Sequence, residues 1–238
     1  MNNIKHLFFD ENITLNSRNL IETEFEHCTK TLRLKVGSTF HITNGKGSVY
    51  KGIITEITKR NIQINILEQY NKERKNSRRL HLAVSSLKNK DRLDFIIEKA
   101  TEIGVEAISI INCYRTINKI TKIERLKKIA ISGLKQSIQY HLPLINGPIS
   151  ISEFIRQTNI QQSQILLAHC LERQNKLSIK QTQLQENITL MIGPEGDFTQ
   201  SEIDNILINQ NVCQISLGQT RLRTETAAIV ASFSIINS

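Results

Sequence analysis

The chain has 238 residues, of which 39% are hydrophobic, and a formal net charge of +9 at pH 7. This length allows one large domain or two small ones, and either buries a sizeable core. The chain contains no run of about 20 consecutive apolar residues, and residues 1–10 lack the apolar core of a signal peptide. We therefore expect a soluble cytoplasmic protein with no membrane segment.

Residues 39–68 have the pattern of short β-strands. Their apolar residues fall in short runs separated by turns such as Asn44-Gly45-Lys46-Gly47, and residues 18–34 are partly helical in pattern. Alternation with glycine-bearing turns is typical of β-hairpins in a small barrel. Residues 71–79 contain no apolar side chain, which predicts a linker.

Strand and helix patterns alternate after this linker. Short apolar runs predict strands, and apolar residues at helical spacing predict helices between them. Thr199 and Glu202 are predicted to form a capping box that starts one further helix. The predicted strands are residues 80–85, 107–111, 165–168, 188–192 and 212–217, and the other predicted helices are residues 92–103, 123–138 and 227–236. This alternation predicts an α/β fold with a parallel sheet covered on both faces.

Cysteine and histidine usage predicts reduced thiols and no metal site. A disulfide framework or a zinc site requires closely spaced residues of these types. The six histidines are scattered, and the four cysteines form no C-x-x-C pair: Cys28, Cys113, Cys170 and Cys213.

Two glycine-bearing turns late in the chain are its most informative feature. Gly193-Pro194-Glu195-Gly196 follows one predicted strand, and Leu217-Gly218 follows another and leads into Leu222-Arg223-Thr224-Glu225-Thr226-Ala227. Glycine allows the main chain to approach a flat ligand closely. Together the turns predict one ligand held mainly by exposed backbone groups.

These motifs resemble those of the SPOUT methyltransferases, and within them the family that methylates N3 of a uridine in small-subunit ribosomal RNA. That family has a GPEG loop, a Thr/Ser-x-x-Glu helix start, and a Leu-Gly loop that runs into Leu-Arg-Thr-Glu-Thr-Ala. Fainter likeness extends to residues 27–37 and 98–105. The chain departs from the pattern at Asp197, where a further glycine is common, and at Thr220 and Gln139, where arginine is usual.

The resemblance implies both fold and assembly. It implies a PUA-like β-barrel RNA-binding domain at residues 1–72 and a SPOUT methyltransferase domain at residues 73–238, whose parallel sheet contains a deep trefoil knot. SPOUT proteins form dimers through their knots, and burial at such a homodimer interface would explain the apolar helix at residues 227–236. Burial in the core of a single chain would explain it equally well.

The resemblance also implies S-adenosylmethionine as the cofactor. Backbone N–H and C=O groups that are free of sheet pairing are expected to read the adenine edge. A lone histidine such as His169 is otherwise more often a surface or capping residue. The residues expected to bind the cofactor are His169, Ile192, Gly193, Pro194, Glu195, Gly196, Leu217, Gly218, Leu222, Arg223, Thr224, Thr226 and Ala227.

Two side chains are candidates for a catalytic role. Loss of the uridine N3 proton leaves negative charge on the uracil oxygens, which Arg223 is expected to stabilise; the alternative is a phosphate clamp or an ion pair with Glu225. Glu195 is either a general base or, more often, a loop organiser that accepts backbone hydrogen bonds. Thr224 and Thr226 either cap the last helix, which is the safer expectation, or bond a cofactor group.

The positive charge is concentrated around the linker. Residues 71–80 carry five basic side chains and one acidic side chain. Such a run is either a solvated linker or a surface for a phosphate backbone. The resemblance favours small-subunit ribosomal RNA, as naked RNA or in the assembled 30S subunit. The predicted RNA contacts are Arg33, Lys35, Lys46, Arg78, Arg79, Lys88 and Arg92.

The leading prediction is therefore a 16S ribosomal RNA uridine-N3 methyltransferase that acts in ribosome biogenesis. One alternative is a SPOUT enzyme that acts on transfer RNA. Another is a non-catalytic RNA-binding or ribosome-assembly factor. Two departures from the family pattern would fit this alternative: Asp197, and an arginine at position 221 where the family has it at position 220. A conventional nucleotide-binding enzyme is disfavoured because neither G-x-G-x-x-G nor G-x-x-x-x-G-K-[ST] occurs.

Overall fold

The structure is a computed structural model that describes residues 4–74, 76–157, 163–171, 176–208 and 211–238. By the density of their internal contacts, the residues group into two compact units. The first unit comprises Met1–Lys75 and Ile131–Leu142, and the second comprises Asn76–Ala130 and Pro143–Ser238. The sequence does not predict that residues 131–142 group with the first unit. The domain boundary between residues 72 and 73 stays a prediction.

The first unit contains a mixed β-sheet. Its described strands follow one another across the sheet in the order β1 (Leu7–Phe9), β2 (Thr39–Thr43), β3 (Ser48–Ile57) and β4 (Ile62–Asn71). β1 is parallel to β2, whereas β2 with β3 and β3 with β4 are antiparallel. The predicted hairpins are thus confirmed. Helical turns at Glu22–Glu24 and His27–Thr31 precede β2 and agree with the partly helical pattern there.

This sheet packs on an apolar core of its own. Phe8 and Phe40 meet edge to face there, with ring centroids 5.5 Å apart, and Ile42, Ile54 and Ile62 are buried around them. Alternate residues of β4 are buried at Ile62, Ile64 and Ile66, because successive side chains of a strand point to opposite faces. The alternation read from the sequence therefore forms the core of this unit.

The second unit is built on a parallel sheet. Its described strands are β5 (Arg79–Ser85), β6 (Ala107–Asn112), β7 (Leu144–Ser150), β8 (Gln164–Ala168), β9 (Leu177–Ser178), β10 (Asn187–Ile192) and β11 (Val212–Ser216). They lie in the order β7, β6, β5, β10, β8, β11, β9, and each neighbouring pair is parallel. The predicted parallel α/β sheet is confirmed, whereas the trefoil knot stays a prediction.

Five α-helices are described, and side-chain caps mark the start of the first and the fourth. They are α1 (Lys90–Ile103), α2 (Ile123–Ser137), α3 (Ile151–Gln157), α4 (Gln200–Leu207) and α5 (Thr224–Ile236). The Asn89 side chain accepts from the Asp91 N–H at the start of α1, and Gly104 ends that helix with φ of 93°. Thr199 and Glu202 form the predicted capping box of α4. Every helix in the described ranges is too short or too polar to cross a bilayer.

The sequence does not predict β7, α3 or β9. β7 is an edge strand in the described sheet and contains Gly147 and Pro148, which interrupt the apolar pattern typical of a buried strand. β9 has two residues and α3 has seven, so neither is long enough to show a clear period.

Candidate functional site

A cavity of about 600 Å³ lies at the carboxyl ends of β8, β10 and β11. The loops after these strands meet there because the three strands are neighbours in a parallel sheet. The cavity is lined by every residue predicted to bind a cofactor except Gly196 and Thr226. Arg92, a predicted RNA contact, also lines it. The further lining residues, which no sequence motif indicates, are Ala168, Cys170, Lys176, Asp197, Ile215, Ser216, Gln219, Thr220 and Arg221.

The loop of residues 193–198, called the first loop here, follows the central strand β10. Its Glu195 carboxylate accepts a hydrogen bond from the Lys88 N–H at 3.1 Å, and Lys88 belongs to the loop after the neighbouring strand β5. The Glu195 carbonyl accepts from Arg221 at 3.4 Å. A carboxylate that accepts a backbone N–H from another loop is the arrangement expected of a loop organiser.

The glycines of the first loop are closely packed. A Cβ on Gly193 would lie 3.2 Å from both the ring and the backbone nitrogen of Phe198. A Cβ on Gly196 would lie 3.2 Å from the side chain of Arg115, whose guanidinium donates to the Gly196 carbonyl at 2.7 Å. The Thr224 hydroxyl at the start of α5 donates to the Gly193 carbonyl at 3.2 Å. Neighbouring elements therefore hold this loop on two sides.

Asp197 is the residue of the first loop with left-handed backbone geometry. Its φ is 64°, a region that glycine occupies readily and aspartate tolerates better than most residues. Its buried carboxylate accepts from the Cys170 N–H at 2.6 Å and from the Phe198 N–H at 2.8 Å. Asp197 thus supplies a carboxylate that joins the loop after β8 to the loop after β10.

The loop of residues 217–223, called the second loop here, is much more open. Residues 218–221 are exposed, and a Cβ on Gly218 would meet no atom within 4 Å. Gly218 is glycine for a different reason, because its φ is 137°, which other residues rarely adopt. This loop supplies the apolar side chains of Leu217 and Leu222 to the cavity.

Arg223 ends the second loop and is the N-cap residue of α5. Its side chain is exposed and lines the cavity. The cap position has no side-chain hydrogen bond, so the expected threonine cap of this helix is wrong: Thr224 donates to Gly193 instead, and Thr226 is exposed. Within the described chain, Glu225 forms its ion pair with Arg92 and not with Arg223.

The Arg92–Glu225 pair joins α1 to α5 at the cavity. Arg92 Nε lies 3.6 Å from Glu225 Oε1, and the Glu225 side chain is 14% exposed. Arg92 therefore lies at the cavity lining as well as being a candidate RNA contact. Nothing in its sequence neighbourhood indicates this position, because the pair joins residues far apart in the chain.

The loop after β8 supplies the third side of the cavity. His169 is 7% exposed, and its Nε2 lies in hydrogen-bond contact with Gln214 Oε1 at 2.9 Å. The Lys176 ammonium donates to the His169 carbonyl at 2.7 Å. His169 is thus a buried residue of the cavity wall and not a surface residue.

The other predicted RNA contacts are mostly exposed. The Arg78 guanidinium instead donates to the Ile235 carbonyl at 3.5 Å and to the Ser238 carbonyl, near the carboxyl end of α5. Lys46 forms an exposed ion pair with Glu11 at 3.3 Å. The remaining exposed ones are Arg33, Lys35, Arg79 and Lys88. Among the described residues, no group of three or more histidine, cysteine or acidic side chains is placed to hold a metal ion.

Comparison with protein families and curated relatives gives one consistent result. A model described as an RNA methyltransferase domain matches residues 74–236, and one described as an RNA methyltransferase PUA domain matches residues 20–67. Two relatives are named Ribosomal RNA small subunit methyltransferase E. The protein from Rickettsia conorii is 34% identical over 94% of this chain and 92% of its own length, and the Buchnera aphidicola protein is 29% identical over 96% and 91%.

Solved structures share the whole fold. A probable rRNA-methyltransferase from Porphyromonas gingivalis matches with a TM-score of 0.89 at 30% identity, covering 98% of both chains. A Ribosomal RNA small subunit methyltransferase E from Neisseria gonorrhoeae, bound to S-adenosyl methionine, matches with a TM-score of 0.85 at 24% identity, covering 95% of this chain and 94% of that chain. The likeness drawn from the glycine motifs is thereby confirmed.

Proposed function

Because this chain belongs to the RNA methyltransferase family, we propose that it transfers the methyl group of S-adenosylmethionine to N3 of a uridine in 16S ribosomal RNA. One observation carries the proposal: the three loops after β8, β10 and β11 enclose a single cavity, and the two glycine motifs line it together. This substrate places the protein in the cytoplasm, in ribosome biogenesis.

The cavity fits the proposed cofactor in size and chemistry. Its volume of about 600 Å³ lies within the range of small-molecule sites, about 300 to 1,000 Å³. Ile192, Leu217 and Leu222 supply apolar surface for a purine, and glycine-bearing loops expose backbone groups to its edge. The Asp197 carboxylate adds negative charge, which complements the sulfonium and ammonium groups of S-adenosylmethionine.

In methyl transfer, the residues of the chain would align the methyl group with the uridine and stabilise the charge that develops on the base. S-adenosylmethionine, when bound, supplies a methyl group that is already activated, so the loops mainly align it with the uridine. The target base must leave its stack, since N3 lies on the Watson–Crick edge. Arg223, which is exposed and lines the cavity, is proposed to stabilise the negative charge on the uracil oxygens as the N3 proton passes to solvent. Glu195 keeps the first loop in place.

The N-terminal PUA-like domain is proposed to dock the RNA, with the functional boundary near residues 72 and 73. Arg33, Lys35 and Lys46 are exposed on that side of the boundary, where phosphates would contact Arg33 and Lys35 directly and would compete with Glu11 for Lys46. Affinity that rests on phosphate contacts falls steeply as salt increases. A flat salt response in an RNA-binding titration would therefore contradict this role.

We also propose that the protein forms a homodimer through α1 and α5, which pack against each other. Large apolar side chains of these helices are exposed, namely Phe95 (45%), Val230 (43%) and Phe233 (57%). Exposed apolar side chains on adjacent helices are typical of a surface that another protein chain covers. Analytical ultracentrifugation should show a dimer that Phe233→Glu dissociates, whereas a monomeric wild-type protein would contradict the proposal.

The activity test uses purified protein and labelled S-adenosylmethionine with three acceptors: 30S subunits, naked 16S ribosomal RNA, and bulk transfer RNA. We expect label in ribosomal RNA and, after nuclease digestion and mass spectrometry, in 3-methyluridine. Label in transfer RNA alone would establish the sister activity. Absence of cofactor binding in calorimetry would contradict the methyltransferase proposal and favour the alternative of a non-catalytic RNA-binding factor.

A further inference from the structure

We propose that the loop of residues 113–122, between β6 and α2, binds an unpaired segment of RNA beside the target nucleotide. The inference rests on the proposed function and adds a contact surface to it. This loop, called the 113–122 loop, lies outside the set of basic residues that the sequence predicts to contact RNA.

The outward face of the 113–122 loop carries apolar and basic side chains together. Tyr114 is 81% exposed, Ile117 is 69% exposed and Ile120 is 81% exposed. The same loop contains three basic residues and no acidic one: Arg115, Lys119 and Lys122. Aromatic side chains stack on unpaired bases of any sequence, and adjacent cations pair with the phosphates between those bases.

The exposure of these side chains is built into the loop. Thr116 is 5% exposed, its hydroxyl is hydrogen-bonded to that of Ser85 at 2.8 Å, and it accepts from the Cys113 N–H at 2.8 Å. The Thr121 hydroxyl is hydrogen-bonded to that of Ser86 at 2.9 Å. Since inward threonines anchor the loop to the end of β5, the outward side chains are presented in a preformed arrangement, which lowers the entropy cost of binding.

The 113–122 loop is also joined to the first loop of the cofactor cavity. The Arg115 guanidinium donates to the carbonyls of Gly196, at 2.7 Å, and Phe198, at 3.4 Å. The Tyr114 N–H donates to Glu202 Oε1 at 2.7 Å, at the start of α4. RNA held on this loop is therefore held next to the loop that lines the cofactor cavity.

A second pocket accompanies this surface. It has a volume of about 530 Å³ and is lined by Asn112, Tyr114, Lys119 and Ser201, among others. This volume suits a single nucleotide, within the range of about 300 to 1,000 Å³ for small-molecule sites. The ring of Tyr114, the ammonium group of Lys119 and the hydroxyl and amide groups of this pocket suit the base, phosphate and sugar of an unpaired nucleotide. The Glu202 carboxylate also lines the pocket, and its oxygens accept hydrogen bonds from Tyr114 and Thr199.

The charge of the loop favours RNA over a protein partner. Lysine is depleted in protein–protein interfaces, whereas cations interleaved with an aromatic side chain are common where single-stranded nucleic acid binds. A protein partner or a second copy of the chain is nevertheless a distinct outcome, which the oligomeric state of the variants would reveal.

The test measures binding of a fluorescein-labelled single-stranded oligouridylate by anisotropy. Tyr114→Ala should weaken binding about fivefold to a hundredfold, the range for loss of one base stack, while Tyr114→Phe should stay within about twofold of the wild type because the ring is kept. Lys119→Ala should lower the slope of log affinity against log salt by about 0.7, whereas Lys180→Ala, an exposed lysine in the turn directly after β9 at the far edge of the described sheet, should leave that slope unchanged.

Three results would overturn the proposal: equal affinity of Tyr114→Ala and wild type, an equal defect in Tyr114→Phe, or a change of oligomeric state in Tyr114→Ala. Calorimetry with S-adenosylmethionine separates this proposal from the proposed function. Tyr114→Ala should bind the cofactor as the wild type does. A wild-type protein that binds RNA through Tyr114 but does not bind the cofactor would contradict the methyltransferase proposal and leave the RNA-binding proposal intact.

Discussion

The two glycine-bearing loops of the cavity differ in how the protein holds them. The first loop, residues 193–198, receives contacts from Lys88, Arg115, Cys170 and Thr224, which belong to four other segments. The second loop, residues 217–223, is largely exposed. The first loop is thus part of the folded framework, whereas the geometry of the second loop depends more on what binds to it.

This difference separates two kinds of substitution. Changes in the first loop are expected to reduce the stability of the protein and its affinity for the cofactor together. Changes in the second loop are expected to reduce binding or turnover while the free energy of unfolding stays nearly constant, because exposed loops tolerate local rearrangement.

The largest effect is expected for Arg223→Ala in the second loop. Removal of one group that stabilises developing negative charge typically lowers turnover about 100- to 1,000-fold. Methyl transfer at saturating cofactor should fall by this factor, while the free energy of unfolding changes by less than about 0.5 kcal/mol, as for other exposed side chains.

Arg221→Ala is the matched control for Arg223→Ala. Like Arg223, Arg221 is exposed and lines the cavity. Its guanidinium contacts the Glu195 carbonyl at 3.4 Å and has no proposed role at the uracil, so its removal should have a much smaller effect on turnover. Equal turnover of Arg223→Ala and the wild type would remove Arg223 from the chemistry. A loss confined to RNA affinity would show a phosphate clamp instead.

Substitutions of Asp197 test how the first loop is held. Asp197→Ala should lower the free energy of unfolding by about 2 to 3 kcal/mol, because two backbone N–H groups lose a charged acceptor. Asp197→Gly should cost about 1 kcal/mol less, because glycine relieves the left-handed backbone at φ of 64°. Urea unfolding measures both values, and calorimetry should show weaker cofactor binding in both variants.

Glu186→Ala removes an exposed carboxylate of the same unit and should leave stability and cofactor affinity near those of the wild type. If Asp197→Gly proves more stable than the wild type, the carboxylate contributes less than the backbone strain it accompanies. The bond between the loops after β8 and β10 would then be dispensable.

Alanine in place of two glycines compares the loops directly. Gly193→Ala should destabilise the protein by about 1 to 3 kcal/mol, since its Cβ would press on the buried Phe198. Gly218→Ala would meet no atom within 4 Å, and its cost is the backbone strain of a φ of 137°. Because the exposed loop can relieve that strain by local rearrangement, the substitution should cost less than about 1 kcal/mol, yet it should weaken cofactor binding. Equal destabilisation by the two substitutions would remove the distinction between the loops.

The smallest effect concerns the reactivity of Cys170. This cysteine is exposed and lines the cavity, whereas burial raises the pKa of Cys113 to about 12 and the pKa of Cys28 to about 11. N-ethylmaleimide should therefore modify Cys170 before the two buried thiols, because the thiolate is the reactive form.

S-adenosylmethionine should slow this modification several-fold, as peptide mass spectrometry would show. Full reactivity of Cys170 under conditions where calorimetry shows bound cofactor would place the cofactor outside this cavity. Cys213, which is half-buried in β11, provides an internal comparison in the same samples.

The amino-acid sequence by itself determined the hairpins of the first unit, most of the parallel strands, the capping box at Thr199 and Glu202, and both glycine motifs. Such features depend on side-chain periods and on hydrogen bonds between residues that are close in the chain. For the same reason the short elements β7, α3 and β9 gave too little pattern to be predicted.

Only the tertiary structure decided how the loops contact one another. The bond from Asp197 to Cys170, the pair of Arg92 with Glu225, and the contact of Arg115 with Gly196 each join segments that are distant in the chain. The loops of Asp197 and Cys170 meet because β10 lies beside β8 in the sheet, and Arg92 meets Glu225 because α1 packs against α5. Strand order follows from packing of the whole chain, and the local periods that mark each strand carry no information about its neighbours.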